Sequence, residues 1–201
     1  GVAKQFFPSS DRPELLIDIQ LPEGSSVEAA REVAERVAAA IEDDPALESL
    51  STYIGRGAPR FFLALNPELP DPAFAKIIAV TRDAEARQAL RERLQTMISE
   101  GAFPEARVRP HPLLYGPPVV WPVQFRVMGP GVEQLLTIGE QVREIMAENP
   151  HLVDPHLEWG AQAPALRLAL DPARLATLGV TPVEVQSQLA ELDKRTANAA
   201  F

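Results

Sequence analysis

The densest chemistry in this chain lies in the hexapeptide Gly55-Arg56-Gly57-Ala58-Pro59-Arg60. Two glycines and two arginines within six positions suit an anion nest, in which successive backbone N–H groups converge on a negative ligand. The stretch precedes an expected strand rather than a helix, so the phosphate-loop context is missing and a flexible turn is the plainer reading. His111, His151 and His156 lack metal-ligand spacing and read as turn and surface residues. Cysteine is absent, which excludes disulfides and thiolate metal sites. No serine lies in a nucleophile-elbow pattern. These residues predict neither an enzyme, a cofactor site nor a metal site.

A repeat shows which elements must carry the remaining candidates. Val27, Ala30, Val33, Ala34, Val37 and Ile41 form a helical apolar stripe, and Val132, Leu135, Ile138, Gly139, Val142 and Met146 form another, 105 residues later. The offset continues through Pro45 and Pro150, Gly55 and Gly160, Leu65 and Leu170, and Pro67 and Pro172. Comparing the copies assigns faces. One parity, with Leu63 and Leu65 in the first unit, points at the helices. The other parity holds Ser51, Tyr53, Phe62 and Ala64 in the first unit and His156, Glu158, Arg167 and Ala169 in the second. Glu158 and Arg167 read as a surface ion pair of small worth. Tyr53 and Phe62 fit either an inter-domain contact or an apolar ligand surface with a hydroxyl handle.

The order of elements follows from alternation and punctuation. Residues 15–21 alternate as a half-buried strand, and Ser25 with Glu28 suggests a capping box for a helix over 27–43 that stops at Pro45. Strands are expected at 47–54 and 60–65, with an extra edge strand at 73–80. A second helix over 83–100 ends at Gly101, and 106–112 closes the unit, kept short or at an edge by Pro110 and Pro112. The β-α-β-β-α-β order predicts a ferredoxin-like α+β fold with one sheet face free of helices. The second unit repeats it with strands at 123–128, 152–159 and 165–170 and a helix over 131–148. A short helix follows at 172–178, then a last helix through Val185, Leu189 and Leu192 opened by Thr181, Pro182 and Glu184, and no final strand appears. The expected division is residues 1–116, an incomplete second unit at 117–192, and a tail at 193–201.

Composition supports a globular chain: 46% of its 201 residues are hydrophobic. A formal charge of −9 without basic runs argues against nucleic acid as a partner. No stretch approaches the roughly 18 apolar residues of a membrane span.

Two motifs carry a family resemblance. FFPSSDRPELLIDIQLPEGSS at 6–26 resembles the segment following the seventh transmembrane helix of RND (resistance–nodulation–division) efflux transporters, where the second periplasmic loop begins. LRLALDPARLATLGVTPVEV at 166–185 is similar to the strand, Asp and LGV-S/T turn of the next porter subdomain. The resemblance implies two tandem ferredoxin-like porter subdomains, the second interrupted where the family enters its docking domain. The polypeptide is then expected to be a fragment. It implies a periplasmic portion of a proton-driven inner-membrane pump, in its hydrophobe/amphiphile branch, working as a homotrimer with a periplasmic adaptor and an outer-membrane channel. Hydrophobic or amphiphilic small molecules are the implied substrates. By the same resemblance 55–60 corresponds to the switch loop, and Ser51, Tyr53 and Phe62 to pocket-lining positions. Gly55, Arg56, Gly57 and Arg60 complete the implied substrate-binding set. A free-standing ferredoxin-like ligand-sensing or protein-interaction module is the alternative.

Overall fold

The computed structural model describes residues 10–63, 65, 67–114, 121, 123–159 and 169–199, with 192–199 as backbone alone. It divides into two compact units, Gly1–Pro117 with Ala163–Phe201, and Pro118–Gln162. The first unit holds β1 (Glu14–Gln20), α1 (Val27–Ala39), β2 (Leu47–Ile54), β3 (Phe74–Thr81), α2 (Ala84–Ser99) and β4 (Arg107–Pro112). The sheet order is β2-β3-β1-β4, and every neighbouring pair is antiparallel. This is the ferredoxin-like α+β arrangement expected from the element order.

The alternation of β1 decides where the core lies. Leu15, Ile17 and Ile19 pair with Ala79, Ile77 and Ala75 of β3, and together they face both helices. Val33 and Val37 of α1 and Leu90 and Leu94 of α2 close over them, all at 3% exposure or less. The small residues at alternate positions of β3 let the helices sit close to the sheet. Asp83 caps α2 by accepting from the Ala86 N–H at 2.7 Å, and Gly101 ends it with φ at 84°.

Three local expectations change. The third strand is 74–81, not 60–65, and it lies between β1 and β2 rather than at an edge. Its sequence, FAKIIAVT, is apolar at almost every position, which is the mark of a strand covered on both faces. The match of Leu63 and Leu65 to Leu168 and Leu170 in the repeat gave the contrary reading, but Phe62 and Leu65 both pack against Leu16 and Leu113, on the sheet face away from the helices. Leu65 therefore does not point at the helices. The cap of α1 is Ser26, accepting from the Ala29 N–H at 3.2 Å, while the Ser25 hydroxyl donates to the Pro22 carbonyl at 2.6 Å. The helix ends at Ala39, and turns carry the chain to Pro45.

In the second unit α3 (Val132–Ala147) begins 105 residues after α1, in keeping with the repeat. The expected strands at 123–128 and 152–159 form no ladder, because neither has a pairing neighbour among the described residues. Residues 165–168 of the expected next strand lie outside the described residues. Within Ala163–Phe201, the stretch that groups with the first unit, α4 (Pro172–Leu178) ends at Gly179 in the left-handed region, with φ at 64°. The expected capping box opens α5 (Pro182–Ala199): Thr181 N–H donates to Glu184 Oε2 at 2.7 Å, and Glu184 N–H donates back to Thr181 Oγ1 at 3.3 Å.

The approach to β1 is fixed by a buried guanidinium. Arg87 of α2 is 7% exposed and donates to the carbonyls of Ser10 at 2.7 Å and Arg12 at 2.6 Å. Arg87→Ala should cost roughly 1–3 kcal/mol by orphaning these carbonyls, read as a shift in the urea midpoint. Hydrogen exchange should quicken at the Ser10 and Thr81 amides, which bond to Leu113 and Pro13.

Candidate functional site

The sheet face away from the helices is built from rows of directly opposed residues, of which three lie around its centre and one, Ser49, Val80 and Glu14, lies beyond them. Across the middle run Tyr53, Lys76, Asp18 and Arg109; to one side Ser51, Ile78, Leu16 and His111; to the other Phe74, Gln20 and Arg107. Apolar and charged positions are thus interleaved. Lys76 is the only charged residue of β3 and lies in the centre of the sheet at 1% exposure.

A buried ammonium must be paired. Asp18 Oδ1 lies 3.1 Å from Lys76 Nζ, and Asp18 Oδ2 lies 3.2 Å from Arg109 and 3.1 Å from His111 Nε2. The second partner of Lys76 is Glu68, which forms an ion pair with it from the loop joining β2 to β3. Burial acts to raise the Asp18 pKa. The His111 hydrogen bond and the charges of His111, Lys76 and Arg109 outweigh it and hold this carboxyl well below the usual carboxylate range.

The loop 55–73 lies over this face, and the sequence-predicted site residues are its hinges and contacts. Ser51 is exposed and Tyr53 half-buried on β2. Gly55 is buried with φ at 71°, its N–H donating to Phe74 O at 2.8 Å and its carbonyl accepting from Asp71 N–H at 3.0 Å. That pair of bonds closes the base of the loop. Gly57 allows a close approach: a Cβ there would stand 2.6 Å from the Glu68 backbone nitrogen and 2.1 Å from Glu68 Oε2. Arg60 Nε donates to Leu65 O at 2.9 Å, and Arg56 is exposed. Phe62 is half-buried against Leu16, Leu65 and Leu113, with the Arg12 guanidinium 5.4 Å from its ring centre.

The structure thus brings Tyr53 to the charged row and Phe62 to the apolar cover, while Gly55, Gly57 and Arg60 shape the loop. Sequence reasoning missed Asp18, Lys76, Glu68, Arg109 and His111. A lone lysine inside an otherwise apolar strand was the available signal, since such a charge demands a carboxylate. His111, read as a surface residue, is one of Asp18's partners. In the second unit a cavity of about 520 Å³ is lined by Trp121, Phe125, Gly139 and Met146 among others, and by Glu158. The expected partner of Glu158, Arg167, lies outside the described residues.

Two outcomes follow from this geometry. The folded pKa of Asp18 is depressed, so its contribution is full above an unfolded value of ~3.9 and lost as pH falls through the folded value. Urea stability should fall more steeply below about pH 4 in the wild type than in Asp18→Asn, which at neutral pH costs roughly 3 kcal/mol by leaving cations short of a carboxylate. Gly57→Ala should push Glu68 off Lys76 at a cost of about 1–3 kcal/mol, with limited proteolysis faster within the 55–73 loop.

No helix among the described residues is long and apolar enough to cross a membrane. Comparison with known proteins places the chain in its wider setting. The AcrB/AcrD/AcrF family profile matches residues 1–199. A multidrug resistance protein MdtC of Erwinia amylovora is 24% identical over 202 residues, covering 94% of this chain and 18% of that protein. Two crystal forms of a heavy metal efflux pump superpose with a TM-score of 0.61 at 18% identity, covering 90% and 92% of this chain and 19% and 20% of theirs. The chain therefore spans about a fifth of the length of the relatives it matches. With a family match over almost its full length and the porter-like fold of its first unit, the chain belongs to the AcrB/AcrD/AcrF family of RND efflux transporters, a family of transporters rather than enzymes.

Proposed function

We propose that this chain is a porter portion of a proton-driven RND pump and contributes a binding surface for hydrophobic or amphiphilic compounds. Residues 1–116 make the first porter subdomain, 117–192 begin the second, and 193–201 form a tail. The surface lies in the periplasm, within an inner-membrane homotrimer that works with a periplasmic adaptor and an outer-membrane channel.

The supporting observation is the apolar character of the 55–73 loop on its outer side. Leu63 and Leu69 are 86% and 82% exposed, and Phe61 is 40% exposed beside the half-buried Phe62. Large apolar side chains gathered on one loop mark an interaction surface. Burying each contributes on the order of 1.5–3 kcal/mol, which suits promiscuous capture better than tight selectivity. Ser51, Tyr53, Arg56 and Arg60 supply polar contacts around it, and Gly55 and Gly57 set the loop's path.

The solved heavy metal efflux pumps motivate a metal cation as a second substrate class. Electrostatics on this face disfavours it, because Asp18 and Glu68 are already engaged by Lys76 and Arg109, whose charges repel a cation.

In the intact transporter, Phe62→Ala should lower resistance to bulky hydrophobic compounds several-fold at unchanged protein level. Arg56→Ala and Arg60→Ala should alter the substrate profile without abolishing transport. A susceptibility panel with expression controls checks this. Wild-type resistance to every compound in Phe62→Ala would remove the loop from the binding surface.

A further inference from the structure

The buried Lys76 has two carboxylate partners of different standing. Asp18 belongs to the neighbouring strand and is shared with Arg109 and His111. Glu68 comes from the loop and is the more exposed of the two, at 35% against 19% for Asp18. Its grip is also incomplete. Oε1 engages Lys76, whereas the buried Oε2 lies close to the Gly57 backbone with no hydrogen-bond partner among the described residues. An unsatisfied carboxylate oxygen weakens the hold of the whole group.

Withdrawing Glu68 changes the face in two ways. Lys76 is then left with Asp18, a carboxylate it shares with Arg109 and His111. The rows on either side present Phe74, Ile78 and Leu16, which are at most 8% exposed in this structure. A cation flanked by apolar side chains is complementary to a carboxylate attached to an apolar body.

We propose that Lys76 is the anion-binding centre of a ligand site occupied here by the chain's own Glu68, and that carboxylate-bearing amphiphiles take its place. Glu68 is a tethered competitor, and the 55–73 loop lifts as the ligand anion displaces it. This rests on the proposed binding surface for amphiphiles on the 55–73 loop and extends it to the sheet face beneath. Selectivity comes from the charge: neutral amphiphiles gain only the apolar contacts, and cationic ones meet Lys76 and Arg109.

The test is calorimetric titration of the 201-residue chain with decanoate and with decyl maltoside, each below its micelle-forming concentration. Glu68→Gln should tighten decanoate binding about tenfold, because the tethered competitor for Lys76 is gone. Decyl maltoside binding should not change with it. Gly57→Ala, which displaces Glu68 without altering net charge, should shift decanoate affinity in the same direction. Lys76→Met, with folding verified by circular dichroism, should erase the preference for decanoate. Unchanged decanoate affinity in both Glu68→Gln and Gly57→Ala would overturn the proposal, as would equal tightening of both ligands. Either result leaves the apolar surface standing if decyl maltoside binds. Failure of every variant to bind either ligand would overturn both readings.

Discussion

A single ammonium group at the centre of a sheet governs much of this unit. Lys76 occupies the middle of β3, where neighbouring strands and an overlying loop exclude water. An unpaired charge there would cost far more than folding can offset. Asp18 stands directly opposite on β1 and meets that demand, and the loop delivers Glu68 as a second partner. The demand extends outward. Asp18 draws in Arg109 and His111 from β4, and Glu68 requires a glycine at 57. Four strand and loop segments are thus registered against one another by charge, in addition to the apolar packing beneath the helices.

The two faces of the sheet solve different problems. Under the helices the residues are aliphatic and small, and nothing but volume and shape must be matched. On the other face the fold has no helix to spend, and a nineteen-residue connection (55–73) folds back as a cover. That cover is anchored by Phe62 and Leu65 in an apolar cluster and by one ion pair, while other apolar side chains of the loop face outward. A cover held this way opens at lower cost than a helix packed over a continuous core, which is where mobile binding elements are usually found.

The sequence made the framework legible because its signals were local. Alternation in 15–21 placed the core face of β1, Gly101 ended α2, and Thr181 with Glu184 marked the start of α5. The error in the third strand had a physical origin. RFFLAL matches the second copy of the repeat and is apolar enough for a strand, but apolar character describes only which residues can be buried, not which backbone they pair with. The run FAKIIAVT looked less regular and proved to be one of the two inner strands, because burial on both faces erases alternation. Of the site, Tyr53, Phe62 and the two glycines were visible as aromatic and turn residues. The ion network was not, since Asp18, Glu68, Lys76, Arg109 and His111 meet only through strand register and loop path.

The prolines of β4 give the sheet a direction. Pro110 and Pro112 pair with Ile17 and Leu15, so their nitrogens, which carry no hydrogen, face away from β1. That outer margin offers no donor at two successive outward positions and is a poor template for another strand. The opposite margin, β2, contains no proline from Leu47 to Ile54. Among the described residues, the margin whose outward donors no proline interrupts is the β2 side, which also carries Ser51 and Tyr53.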